Sequence, residues 1–197
     1  MNIEKIVENL NTEYLGKNLI YYAELESTQK LAKKLVKENV VEGTTIVTDY
    51  QTNGIGTHDR KWHSCREKDI LFTFILYPKC NIEKLSNLTF EIAKEIVEVV
   101  DDLYKIKLDI KKPNDLILNG KKVGGILTET KIIGEQVQEL MIGIGINVHR
   151  KKMDNEILKI ATFLEENSDN DLSREIIISE ILNRFEKQYN KEIKEKE

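Results

Sequence analysis

Lys111-Lys112-Pro113-Asn114-Asp115-Leu116-Ile117-Leu118-Asn119-Gly120-Lys121-Lys122-Val123-Gly124-Gly125-Ile126-Leu127 is the stretch on which the fold reading turns. Residues 116–118 and 122–128 are apolar-rich runs, and Asn119-Gly120 stands between them. A two-residue type I′ hairpin needs positive φ at both central positions, which Asn and Gly tolerate best. The stretch therefore predicts two antiparallel strands joined by a tight, basic turn.

Working outward, residues 139–148 read as a further strand that carries Gly143-Ile144-Gly145-Ile146-Asn147-Val148. Successive side chains of a strand alternate between faces, so 143 and 145 share one. A strand without side chains on one face is weakened unless something else packs there, which suggests a smooth floor for a flat ligand. Residues 69–77 form a nearly continuous apolar strand closed by Pro78, and 44–52 and 19–25 read as strands as well. The polar, glycine-bearing segment 53–68 is expected to be a loop.

Helical periodicity fills the remainder. Ser27 is a fair N-cap for a helix to about Glu38 with Leu31, Leu35 and Val36 inward. Leu85, Leu88, Ile92, Ile96, Val99 and Leu103 recur at the spacing of a long amphipathic helix. Residues 156–164 and about 173–194 are expected to be helical, the latter with Ile176, Ile177, Ile181 and Phe185 inward, before a charged tail over 191–197. The expected fold is α+β: a mixed, mostly antiparallel sheet with helices packed on one face.

Composition narrows the function classes. The 197 residues suit one domain, and 30 Lys+Arg against 34 Asp+Glu leave a net charge of −4 without the basic excess of a nucleic-acid coat. No apolar run approaches the ~18 residues that span a bilayer, and no signal-peptide pattern opens the chain. The two cysteines, Cys65 and Cys80, make neither a disulfide framework nor a C-x-x-C pair. A soluble, cytoplasmic protein without nucleic-acid or membrane partners is expected.

Seven of the ten glycines fall at 54 and 56, at 120, 124 and 125, and at 143 and 145. Each segment taken alone has an ordinary reading: Ser27 as a cap, 50–62 as a surface loop held by Trp62, 111–127 as a hairpin with a solvated turn. Their ordered set is more specific. Ser27-Thr28, Gln51-Thr-x-Gly54-x-Gly56 with Arg60-x-Trp62, Pro113-Asn114-Asp115, Lys122-x-x-Gly125-Ile126-Leu127 and Gly143-x-Gly145-Ile146-Asn147 resemble the catalytic domain of biotin–protein ligases, in the superfamily that also holds lipoate–protein ligases.

The resemblance implies an enzyme that joins biotin to ATP with Mg2+, giving biotinyl-5′-adenylate, and passes the biotinyl group to a lysine of a biotin carboxyl carrier protein. It implies that Lys122 bridges the biotin carboxylate and the α-phosphate. Ser27, Thr28 and Gln51 match residues that bind the ureido head, and Gln29 adjoins them. Gly54, Ile55, Gly56 and Thr57 match a loop folding over the ligand, with Trp62 and Gly125 beside it. Asn114 and Asn147 match the nucleotide side, where Lys112 stands at the family's tryptophan, and Asp115 matches a carboxylate near the magnesium. The family's loop arginines are Ile55 and Thr57 here, which leaves Arg60 as the first phosphate contact to expect among five Arg and 25 Lys, with His58 and Lys61 as other candidates.

Neither a helix-turn-helix nor a terminal β-barrel is read in the chain, which suggests a single catalytic domain, 1–197, with one function. Family members often pair through edge strands, so a homodimer stays open. Two other readings are a lipoate or other acyl ligase on the same fold, and a non-catalytic binder of biotin or its adenylate.

Overall fold

The computed structural model describes residues 1–150, 152, 154–168 and 170–194. The strands are β1 (Leu19–Tyr22), β2 (Thr45–Thr48), β3 (Gly54–Ile55), β4 (Lys61–Trp62), β5 (Asp69–Leu76), β6 (Cys80–Asn81), β7 (Asp109–Lys111), β8 (Asp115–Leu118), β9 (Lys121–Ile133) and β10 (Gln136–Asn147). The α-helices are α1 (Ile3–Glu8), α2 (Thr28–Lys37), α3 (Leu88–Tyr104), α4 (Asn155–Leu158) and α5 (Arg174–Tyr189).

One eight-stranded sheet organises the chain in the order β1-β2-β5-β10-β9-β8-β7, with β6 added beside β10. Only β1 and β2 run parallel; every other pairing in the sheet is antiparallel. The Asn119-Gly120 turn has φ of 51° and 77°, as a type I′ hairpin requires.

Alternation along β5 and β10 separates the two faces. Ile70, Phe72, Phe74 and Leu76 join Ile142, Ile144 and Ile146 in the main core, against Ile92, Ile96 and Val99 of α3 and Ile177, Ile181 and Phe185 of α5. Burying each such side chain contributes about 1.5–3 kcal/mol before conformational entropy is charged against it. The opposite face carries Leu71, Thr73 and Ile75 of β5, registered against Gly145, Gly143 and Met141 of β10.

Of the expected helices, α3 and α5 pack on the core face, while α2 does not. Its Ala32 and Val36 pack with Ile46, Ile75 and Met141 on the other face. That placement carries the start of α2 over Gly143 of β10.

Other differences have local causes. The segment read as a loop holds a β3–β4 ribbon, Gly54 opposite Trp62 and Ile55 opposite Lys61, too short for any periodicity to announce. The helix expected over 156–164 stops at Leu158, because Ala161 bridges to Lys122. On α5 it is Ile178 that is fully buried, while Ile176 is half-buried. Leu85 belongs to a short 3₁₀ turn ahead of α3. The last residues of the expected tail, 195–197, lie outside the described residues.

Candidate active site

The site grows from the junction of β1 and α2. Leu25 bridges to Gln51, which sets the start of α2 beside the glycine segment. The Thr28 backbone N–H donates to Gln51 Oε1 at 2.7 Å, and the Thr28 hydroxyl lies 3.2 Å from the same oxygen. Thr73 Oγ1 reaches Thr28 Oγ1 at 2.8 Å and Gln29 Oε1 at 3.2 Å. Gln29 Nε2 donates to Glu129 at 2.9 Å.

Ser27 sits at the N-cap of α2 without capping it. Its hydroxyl is buried and has no hydrogen-bond partner among the described residues. A buried hydroxyl left unsatisfied costs about 1–3 kcal/mol, so this one marks a place where a ligand atom belongs. The ordinary cap reading of Ser27 does not account for it.

The glycine floor read from the sequence is partly covered by the protein itself. A Cβ at Gly143 would stand 2.6 Å from Gln29 Oε1, and one at Gly145 would stand 2.7 Å from Trp62 Cε2. The two glycines thus admit an amide and an indole first. Gly145→Ala is expected to push the indole and its loop outward and weaken ligand binding by about tenfold to a hundredfold, since overpacking costs about 1–3 kcal/mol. Titration of ligand into that variant, followed by Trp62 fluorescence, checks this.

Ser27, Thr28, Gln29, Gln51, Ile55, Gly56, Thr57, Trp62, Asn114, Lys122 and Gly125 all line one cavity, which sets Asn114, expected on the nucleotide side, beside the residues expected around the head group. Its free volume is about 50 Å³. Ligand pockets ordinarily offer ~300 Å³ or more, so a ligand of that size would need the glycine segment and its indole to move aside. The short β3–β4 ribbon gives that segment few ties to break.

An adjoining cavity of about 400 Å³ shares Gly56, Thr57, Trp62 and Lys122 and adds Arg60, Asn147, Ile157, Ile160 and Ala161. Lys122 stands between the two. Its backbone is fixed on both sides, its N–H donating to Ile160 at 2.8 Å and its carbonyl accepting from Thr162 at 2.9 Å. Its ammonium lies 2.6 Å from Asp115 and 5.8 Å from the centre of the Trp62 ring. On its outer side Asp115, Asp109, Lys111 and Lys159 line a third, open cavity.

Several expected residues sit at the edge. Gly54 lies behind the wall, where a Cβ would meet the Trp62 carbonyl at 2.7 Å and Gln51 Nε2 at 3.0 Å. Asn114 and Asn147 brace the backbone, their amides donating to Ile126 at 3.0 Å and Thr162 at 3.1 Å. The Arg60 guanidinium folds onto Thr57 of its own loop, at 3.0 Å from the hydroxyl. Lys112 is not brought into the site: its ammonium rests 4.3 Å above the Phe90 ring on α3.

Thr73 and Glu129 went unread as site residues. Thr73 is the one polar residue in the apolar run 70–76, a signal that became legible only once the register set it opposite Gly143. Glu129 offered no signal, since a lone acidic residue in a strand is ordinary.

The arrangement is a small pocket of hydroxyls and amides, then a fixed ammonium, then a roomier cavity whose walls combine apolar side chains with Asn147, Arg60 and Lys61. Such a layout can hold a neutral head group, draw its anionic tail against an ammonium, and meet a second, phosphate-bearing reactant there.

Residues 21–147 match the model of the biotin/lipoate A/B protein ligase family. The bifunctional ligase/repressor BirA of Bacillus subtilis is 41% identical over 182 residues, which cover 91% of this chain and 56% of that relative. The chain thus spans a little over half the length of that relative. Among solved structures, the biotin protein ligase of Aquifex aeolicus in complex with biotin and ATP superposes with a TM-score of 0.75 at 32% identity, over 90% of this chain and 72% of that one. The Leishmania major biotin protein ligase in complex with biotinyl-5-AMP shares the fold, with a TM-score of 0.75 at 22% identity over 91% of this chain and 77% of that one. The chain belongs to the biotin/lipoate A/B protein ligase family.

Proposed function

We propose that this protein activates biotin with ATP and transfers the biotinyl group to a lysine of a biotin carboxyl carrier protein. The observation that carries the reading is Lys122, fixed where the buried, uncharged pocket meets the larger cavity. The B. subtilis and A. aeolicus proteins, named as biotin ligases, support it.

In the first step a biotin carboxylate oxygen attacks the α-phosphorus of ATP, the bond to the β-phosphate breaks, and pyrophosphate leaves. Two anions must approach, so an ammonium already in place lowers the barrier. In the free protein that ammonium is held by Asp115. In the second step a neutral lysine amine attacks the carbonyl carbon, a proton is lost from nitrogen, and AMP departs with the C–O electron pair.

Ser27, Thr28, Gln29 and Gln51 would hold the ureido head, because hydroxyls and amides supply donors and acceptors without burying a charge. Asn114, Asn147 and the wall of Ile157 and Ile160 would flank the nucleotide. Among the described residues no three His, Cys, Asp or Glu side chains are grouped to hold a metal. Magnesium would therefore travel with ATP, held by its phosphate oxygens with Asp115, and would neutralise charge on the departing pyrophosphate. The same reading favours a cytoplasmic location, where cysteines stay reduced.

Biotin is expected to raise the melting temperature while lipoate and octanoate leave it unchanged, because only a ligand of the native state stabilises it. Incubation with biotin and MgATP is expected to label an added carrier domain. Stabilisation by lipoate instead would turn the reading toward an acyl ligase, and absence of labelling would remove the transfer step.

A further inference from the structure

Glu129 on β9 lines none of the three cavities, yet it decides which way the pocket's hydrogen bonds run. The Gln29 amide is buried, and its Nε2 faces the Glu129 carboxylate at 2.9 Å and the Met141 carbonyl at 3.4 Å. Both are acceptors, and a carboxylate has nothing to donate. The Lys33 ammonium, 2.7 Å from the other side of that carboxylate, holds it in place. Gln29 must therefore turn its oxygen toward Thr73, 3.2 Å away.

The far end is set just as firmly. The Thr28 backbone N–H, which can only donate, holds Gln51 Oε1 at 2.7 Å and so turns that oxygen toward the Thr28 hydroxyl. Four oxygens then stand in a row: Gln29 Oε1, Thr73 Oγ1, Thr28 Oγ1 and Gln51 Oε1. Three gaps separate them, but Thr73 and Thr28 supply two hydroxyl hydrogens. The row is one donor short. Were the Gln29 amide reversed, its Nε2 would donate to Thr73 and every gap would hold a proton.

We propose that Glu129 is a positioning residue for substrate specificity: by holding the Gln29 amide oxygen toward the pocket it keeps this buried row short of a hydrogen, and so selects a head group that brings N–H donors. The inference rests on the biotin reading above. A cyclic urea carries such N–H groups, whereas a dithiolane or alkyl end has none.

The test is calorimetric titration of wild type and Glu129→Gln with biotin and with biotin methylated on one ureido nitrogen. In Glu129→Gln the neutral amide can donate as well as accept, so Gln29 is free to reverse. Biotin affinity is expected to fall about tenfold, one hydrogen bond's worth, with the affinity for ATP and the melting temperature unchanged. The preference for biotin over its methylated form should fall by a similar factor, because the variant no longer demands that N–H. A merely structural role would weaken both ligands equally. Equal weakening, or undiminished biotin affinity in Glu129→Gln, overturns the proposal. Wild-type protein that binds neither ligand overturns the biotin reading itself.

Discussion

Lys122→Ala is expected to lower biotin-dependent adenylate formation by about 10³-fold, the effect of removing one preorganised donor from a developing charge. The loss falls on the rate at saturating substrates more than on biotin affinity. The polar pocket of Ser27, Thr28 and Gln51, proposed to take the ureido head, is formed without the ammonium. Lys122→Arg recovers little, since a planar fork does not reproduce a point charge seated 2.6 Å from Asp115. Single-turnover measurement of adenylate against biotin concentration separates the two effects. A variant with unchanged rate and weakened affinity would reduce Lys122 to a binding group.

Asp49→Ala destabilises the fold by about 3–5 kcal/mol, the cost of stranding a buried charge. Asp49 is 3% exposed and Arg174 is 8% exposed. The carboxylate takes Arg174 Nη1 at 2.9 Å, the N-terminal ammonium at 3.0 Å and the Tyr21 hydroxyl at 2.6 Å. Arg174 also donates to the Asp69 carbonyl at 3.1 Å, which ties α5 to β5. The melting temperature should fall by roughly 10 °C for a chain of this size.

The pH dependence follows from the same contacts. Burial raises the Asp49 pKa, but the bonds from Tyr21, the N-terminal ammonium and Arg174 outweigh it and hold the carboxyl below its usual value. The Tyr21 hydroxyl, bonded to that carboxylate and partly desolvated, is pushed up to about 12. A depressed carboxyl stabilises the fold above its unfolded pKa of about 4 and loses that contribution as pH falls through the folded value. The gap in melting temperature between wild type and Asp49→Ala should narrow from pH 6 toward pH 3. The site feels this network, because the Asp49 carbonyl also accepts from Glu67 at 3.2 Å and closes the segment that carries Gln51 and the glycines.

What could be read in advance was what depends on local backbone. Asn119-Gly120 announced its hairpin because positive φ is a property of those residues, and period-two alternation put Gly143 and Gly145 on one face before any register was known. The site set came from the ordered motifs, and most of it converges on one cavity.

What could not be read depends on partners distant in the chain. Nothing local says that Gln29 and Trp62 fill the space of the missing side chains, or that the Ser27 hydroxyl declines its cap. The face chosen by α2 follows from packing against Ile75 and Met141. Lys112 is drawn to Phe90 on α3, a contact that no motif encodes.

On the proposed reading, this fold joins biotin to ATP at Lys122. Exchange of labelled pyrophosphate into ATP measures that step alone, without a carrier. Wild-type protein should exchange label when biotin and MgATP are present, should stop when lipoate or octanoate replaces biotin, and should lose nearly all of the rate in Lys122→Ala. No exchange with biotin would remove biotin activation, and equal exchange in Lys122→Ala would remove Lys122 from that step.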